Sequence, residues 1–131
     1  VYRRSNIKPN TLIGDVNWGN YTCKVDVFIE GGNVELGGHV KGSYLKGYRF
    51  QVAKNGNWKL IFDKEVLKEG VIPDFDGNQW HALKLTFKNN EIEAFIDEVS
   101  VVNVSHQKTT GYVMLASSYD ENLFDNLEIT H

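Results

Sequence analysis

Hydrophobic and polar residues alternate most regularly between residues 21 and 30. Tyr21, Cys23, Val25, Val27 and Ile29 fall on one face; Thr22, Lys24, Asp26 and Glu30 fall on the other, with Phe28 the lone apolar residue among them. A sustained period of two predicts a half-buried antiparallel strand. The same alternation recurs along the chain. Over 33–41, Val34, Leu36 and Val40 are expected inward and Glu35, Gly37, His39 and Lys41 outward. Tyr48, Phe50 and Val52 face in, with Arg49 and Gln51 facing out, and Trp58, Leu60 and Phe62 share a side. Further strands are expected over 79–87 (His81, Leu83, Leu85, Phe87 on one face), 91–97 (Ile92, Ala94, Ile96 inward), 99–104, 111–117 and 123–130. In the last of these Asp125 shares parity with Leu127 and Ile129, which places a carboxylate on an apolar face where it needs compensation.

Turn formers punctuate these runs: Gly31-Gly32-Asn33, Asn55-Gly56-Asn57 and Asn89-Asn90. Thr11-Leu12-Ile13 reads as a short first strand, and 63–70, which lacks a clear period, as a strand or irregular segment. About ten strands at turn-to-turn spacing, with no helical period and no internal repeat, predict a β-sandwich of two antiparallel sheets. Residues 1–10 are basic and end in Pro9-Asn10, a linker or edge segment; 11–131 form a single domain. The expected core includes Tyr21, Val25, Val27, Leu83, Leu85, Val113, Leu115, Leu127 and Ile129.

Composition narrows the function classes. A chain of 131 residues with 41% hydrophobic and 12% aromatic content can bury a real core. A net charge of −3 argues against nucleic acid as a partner. No apolar run approaches the roughly 20 residues of a membrane span. One cysteine, Cys23, excludes an internal disulfide and reads as inert core. No leader pattern opens the chain at Val1, and the sequence reads as a module cut from a longer protein.

Two constellations could carry chemistry. Asp15 and Asn17 stand in the turn-rich stretch Gly14–Asn20, and Asp125 opens the last strand. In a sandwich whose first and last strands are neighbours, these hard oxygen donors could hold Ca²⁺. Equally, Asp15 and Asn17 could cap a turn and Asp125 accept backbone amides. Asp74-Phe75-Asp76-Gly77-Asn78 superficially looks like a calcium loop, but its glycine falls too early and Leu85 stands where a closing glutamate is needed, so it reads as a surface turn. The second constellation is the polar face of the strands over 33–41 and 47–53: Glu35, His39, Arg49 and Gln51, with Lys59 beside them and Tyr44 at the rim. Planar donors and acceptors with an aromatic side chain suit a sugar, although an ordinary solvated sheet face has the same composition. Hydrolase and phosphate-loop motifs are absent, and the four histidines show no metal spacing. Asn20-Tyr21-Thr22 and Asn103-Val104-Ser105 fit the glycosylation pattern.

A resemblance sharpens this. Ile13-Gly14-Asp15-x-Asn17-Trp18, the strand Cys-x-Val-Asp-Val-x-Ile-Glu, Gly47-Tyr48-Arg49-Phe50, Gln79-Trp80-His81 and the terminal Phe124-Asp125-Asn126 resemble the C-terminal lectin domain of galactocerebrosidase-type glycoside hydrolases from about residue 11 onward. Trp80-His81 followed by Ile92-x-Ala94-Phe95-Ile96-Asp97 resembles laminin-G-like, or concanavalin-like, jelly rolls. The resemblance implies a non-catalytic, monomeric carbohydrate-binding module of a secreted, extracellular glycoside hydrolase, adjoining a catalytic domain. It also implies galactose-containing glycans as ligand and a structural calcium at Asp15, Asn17 and Asp125. Two other expectations are a structural accessory domain packed on a catalytic domain, and a laminin-G-like adhesion module with a protein partner.

Overall fold

The computed structural model describes residues 2–3, 11–42, 46–119 and 121–131, and no helix occurs among them. Its strands are β1 (Tyr2–Arg3), β2 (Thr11–Ile13), β3 (Tyr21–Phe28), β4 (Asn33–Val40), β5 (Tyr48–Ala53), β6 (Asn57–Phe62), β7 (Glu65–Val71), β8 (His81–Lys88), β9 (Glu91–Ile96), β10 (Val99–Ser105), β11 (Tyr112–Ser117) and β12 (Leu123–Thr130). They form two six-stranded antiparallel sheets, a front sheet β1-β12-β3-β8-β9-β10 and a back sheet β2-β11-β4-β5-β6-β7. This is the expected jelly-roll sandwich; β7 takes the strand alternative left open for 63–70, and β1 pairs with β12 at the front-sheet edge, the edge alternative for residues 1–10.

Period two accounts for the core. Along β3 every odd position is buried and every even one half-exposed. Seven of the expected core residues are buried, and Leu127 and Ile129 pack against the core at its margin. Cys23 is a free, fully buried cysteine whose thiol burial pushes up to about 12, so it stays protonated and unreactive.

The alternation breaks at several bulges, and two of them, on β4 and on β12, correct an expectation. On β4, Met114 pairs with Gly37 but Tyr112 pairs with Val40, so the strand carries an extra residue there. His39 takes it up with a φ of 55°. Its side chain therefore turns into the interior rather than outward, and it is 1% exposed. Val40 is displaced to the outer face of the back sheet, where it packs with Met114 and Ala116 instead of the main core. On β12 the register runs Asp125↔Asp26 and then Glu128↔Lys24, with Asn126 at a φ of 54°. Phe124 takes the core position, and Asp125 stands opposite Asp26 rather than in line with Leu127 and Ile129.

His39 joins the two sheets. Its ring stacks on Phe87 at 3.9 Å and 27°, and Tyr21 and Tyr48 meet it edge-on. Gly38 makes room for this: a β-carbon there would lie 2.2 Å from Phe87. His39 Nε2 sits 2.6 Å from the Gly19 carbonyl, which identifies Nε2 as the protonated, donating nitrogen. Nδ1 is buried without a hydrogen-bond partner.

Burial first, with Lys41 adding to it against the Gly19 bond, lowers the His39 pKa from 6.5 to about 4. Between those values the unfolded chain binds a proton that the folded one rejects. His39 therefore costs nothing above about pH 6.5 and erodes stability on acidification toward 4, by at most ~1.4 kcal/mol per pH unit. Glu98, held down to about 2 by hydrogen bonds from Lys24 and Lys84, acts in the separate window below its ordinary 4.5. Urea midpoints at pH 7 and pH 5 should differ less in His39→Asn than in the parent, since asparagine tolerates the left-handed backbone and does not titrate. Equal pH slopes in parent and variant would mean that His39 is protonated in the fold.

Candidate functional site

The outer face of the back sheet gathers three of the five residues expected to bind a ligand. Cross-strand register sets Glu35 on β4 opposite Gln51 on β5, with Arg49 one diagonal away, opposite Gly37. Arg49 Nη1 donates to both carboxylate oxygens of Glu35, at 3.2 and 3.0 Å, and Gln51 Nε2 donates to Oε2 at 2.8 Å. Nη2 reaches the Asp63 carbonyl at 3.4 Å. The face is less wet than its polar pattern suggests: the side chains of Arg49 and Glu35 are only 10% and 8% exposed. Met114, Ala116 and Ile61 are buried on the same face. Charge in such a place persists because it is paired and hydrogen-bonded. Lys59, opposite Gln51, is half-buried. His39 is not part of this group, having turned inward, and Tyr44 lies outside the described residues.

The expected metal residues sit at the edge where β2 faces β12. Asp15 Oδ1 accepts the Asn17 amide at 2.8 Å, and the Asp15 carbonyl accepts from Trp18 at 3.2 Å, which is the turn-capping arrangement. Asp125 Oδ1 accepts the Asn126 amide at 2.8 Å. Asp125 lines a cleft of about 400 Å³ together with Thr11 and Ile13 of β2, the strand leading into the Asp15 turn, while Asp15 and Asn17 are not among its lining residues. Asp125 also stands directly opposite Asp26, and like charges in a cross-strand pair repel. Asn126 Nδ2 relieves part of this by donating to Asp26 Oδ2 at 2.9 Å. Among the described residues no group of three or more His, Cys, Asp or Glu converges to hold a metal. A cation here would draw on Asp15, Asp125, the Asn17 amide oxygen and backbone carbonyls, a set whose hardness fits calcium.

Sequence reasoning missed how the ends of the strands are organised. His81, expected as packed core, is a half-buried clamp: Nδ1 meets Asp97 Oδ2 and Nε2 meets the Asp76 carbonyl, both at 2.7 Å, while the ring stacks on Phe75 at 4.1 Å. It fixes the 73–78 loop, whose Asp76 Oδ1 accepts the Asn78 amide in a surface turn. Beside that loop Lys54, Asn55, Asn57 and Asp76 line an open cleft of about 490 Å³. Trp80 is 45% exposed and meets Phe28 on the outer face of the front sheet at 5.8 Å. The signal for this pair was the outward parity of Phe28. Of the two glycosylation triplets, Asn20 is tied by its side chain to the Asn89 amide at 2.8 Å, and Asn103 is exposed on β10 at the sheet edge.

Residues 4–131 match the family described as the galactocerebrosidase C-terminal lectin domain. The chain is 28% identical over 133 residues to galactocerebrosidase of Macaca mulatta, covering 91% of this chain and 19% of that protein. It is 28% identical over 130 residues to galactocerebrosidase of Homo sapiens, covering 88% and 19%. It thus spans about a fifth of the length of these relatives. In fold it resembles the carbohydrate-binding module CBM66 from Bacillus subtilis (TM-score 0.73, 18% identity, 86% of this chain and 76% of that one). It also resembles sheep galectin-11 in complex with glycerol (TM-score 0.63, 13% identity, 92% and 96%). Taken with the two-sheet architecture and the family match over nearly the whole chain, these likenesses lead to one assignment: the chain belongs to the family of galactocerebrosidase C-terminal lectin domains.

Proposed function

We propose that the chain is a non-catalytic carbohydrate-binding module of a secreted glycoside hydrolase, that it binds galactose-containing glycans, and that a structural calcium clips its first loop to its last strand. The observation that carries the binding reading is the Glu35–Arg49–Gln51 group. Its guanidinium, carboxylate and carboxamide are held in fixed relation on adjacent strands, the preorganised polar set that hydroxyl pairs select. Family membership and the carbohydrate-binding module and galectin among the structural relatives support the class of ligand. Galactose in particular rests on the kinship with galactocerebrosidases. A second reading, an accessory domain packed on a catalytic domain, draws support from the burial of that same ion pair and from relatives five times longer.

Binding of a galactoside array by the isolated chain separates these readings. Gln51→Ala should weaken galactoside binding by about three- to tenfold with little loss of stability, the value of one hydrogen bond. Arg49→Ala is expected to unfold more easily by roughly 3–5 kcal/mol, because it strands a buried Glu35 carboxylate. A parent chain that binds no glycan on the array overturns the binding reading.

Calcium is supported by the hardness of the donors and by the cleft that Asp125 shares with the strand before Asp15. A metal that binds only the folded chain stabilises it by about 2.7 kcal/mol at a hundredfold excess over its dissociation constant. Chelation should therefore lower the melting temperature by several degrees, and Asp125→Ala should lower it without further response to chelator. A parent melting curve unmoved by chelator, with no calcium by elemental analysis, would discard the site.

A further inference from the structure

We propose a second carbohydrate-binding surface on the outer face of the front sheet, where Trp80 and Phe28 form a stacking platform for a neutral pyranose and Asp26 with Asn126 forms its polar edge. The proposal rests on the carbohydrate-binding reading above and adds a site to it. β3 and β8 pair as Val27↔His81 and Asp26↔Ala82, which sets Phe28 beside Trp80 and Asp26 beside Ala82 on one face. The two rings lie 5.8 Å apart and tilted by 60°, so together they make a bent apolar wall rather than a flat stack. Trp80 keeps 45% of its surface exposed in that pairing. The next outward-facing residue along β8 is Ala82, the smallest side chain of that strand.

Polar groups edge the platform on the β12 side. Asn126 Nδ2 holds Asp26 Oδ2 at 2.9 Å, and the bulge that gives Asn126 its φ of 54° is what brings its amide there. A carboxylate accepting one such bond retains acceptor capacity for a hydroxyl, and the amide oxygen adds another. An apolar wall with acceptors along one edge complements a sugar ring, which has one C–H face and a rim of hydroxyl donors.

The charges select among sugars. Lys24 and Lys84, the cations farther along this face, are both engaged by Glu98, at 2.6 and 2.9 Å. Asp26 places a carboxylate at the edge of the platform, where its like charge disfavours sialylated or sulfated sugars relative to neutral pyranoses.

The test compares the parent with Trp80→Ala, Ala82→Leu and Gln51→Ala. Binding of methyl β-galactoside, lactose and sialyllactose is measured by calorimetry, and melting curves verify the fold of each variant. Trp80→Ala should lose about tenfold in affinity for the neutral sugars, and Ala82→Leu should lose as much by placing a bulky side chain beside the platform. Lactose should also protect parent tryptophan fluorescence from acrylamide, with the protection absent in Trp80→Phe, because Trp58 is buried and Trp18 half-buried. Undiminished sugar binding in both Trp80→Ala and Ala82→Leu, with loss in Gln51→Ala, overturns this surface and leaves the proposed function intact. Sialyllactose binding as tightly as lactose overturns the assigned ligand class. A parent that binds none of the sugars removes this surface together with the reading on which it rests.

Discussion

The contact on which the sandwich depends is the face-to-face packing of Phe87 on His39, 3.9 Å between rings across the gap between the sheets. A sheet made by alternation hides one face only, so two sheets must be held at a fixed spacing by side chains that reach across. At this point the spacing is too small for ordinary alternation. Glycine at 38 lets Phe87 approach the backbone, and the extra residue in β4 then lets the following side chain lie flat over the ring. The same bulge carries the effect outward. His39 donates to Gly19, the Tyr21 hydroxyl donates to the Gly111 carbonyl and accepts from the His39 amide, and Gly111 donates to Trp18. The loop bearing Asp15 and Asn17 is thus anchored from inside the core, and its shape is fixed before any ion arrives.

How much of this could be read in advance follows from which features leave a periodic trace. The strands, the hairpins at Asn55-Gly56 and Asn89-Asn90, and the core of β3 and β8 were legible because burial on one face enforces period two. The bulges were not. Each of these two bulges places a residue in left-handed backbone, which His39 and Asn126 tolerate, but nothing in their neighbours marks them off from an unbroken strand. The insertion on β4 was enough to send His39 inside and Val40 outside, and the one on β12 to set Asp125 across from Asp26. The grouping of Glu35, Arg49 and Gln51 was legible from adjacent strands of like parity. Their burial was not, because it depends on Met114, Ala116 and Ile61 arriving from β11 and β6, and parity alone says nothing of how deep a face lies.

The Asp125 region shows the same dependence of chemistry on register. In an unbroken strand its carboxylate would point at the core and need a cation or an amide to be tolerated at all. With the bulge it is relieved of that burial and meets a second carboxylate instead. The need for partners survives the change of face: desolvation is exchanged for repulsion, which the Asn126 amide and side chain help to offset. This is why the turn-capping bonds of Asp15 and Asp125 do not exclude an ion. Each occupies one carboxylate oxygen, and a carboxylate has acceptor capacity to spare.

The two outer faces resolve the same problem in opposite ways. The back sheet buries the Arg49–Glu35 pair within its outer face, hydrogen-bonded and nearly dry, and must hold the two together or forfeit stability. The front sheet keeps its ion pairs at the surface, where exposed Lys–Glu contacts contribute little, and leaves two aromatic rings beside them. A single exposed tryptophan would need no explanation, since apolar atoms make up much of any protein surface. Trp80 differs because its neighbours are fitted to it: Phe28 interrupts an otherwise polar face at the one ladder position that touches the indole, and Ala82 withholds bulk at the next. The contact between the rings itself contributes to stability, as aromatic pairs do. What the pair also supplies is a rigid apolar surface beside hydrogen-bond acceptors, on a face that the sandwich itself leaves uncovered.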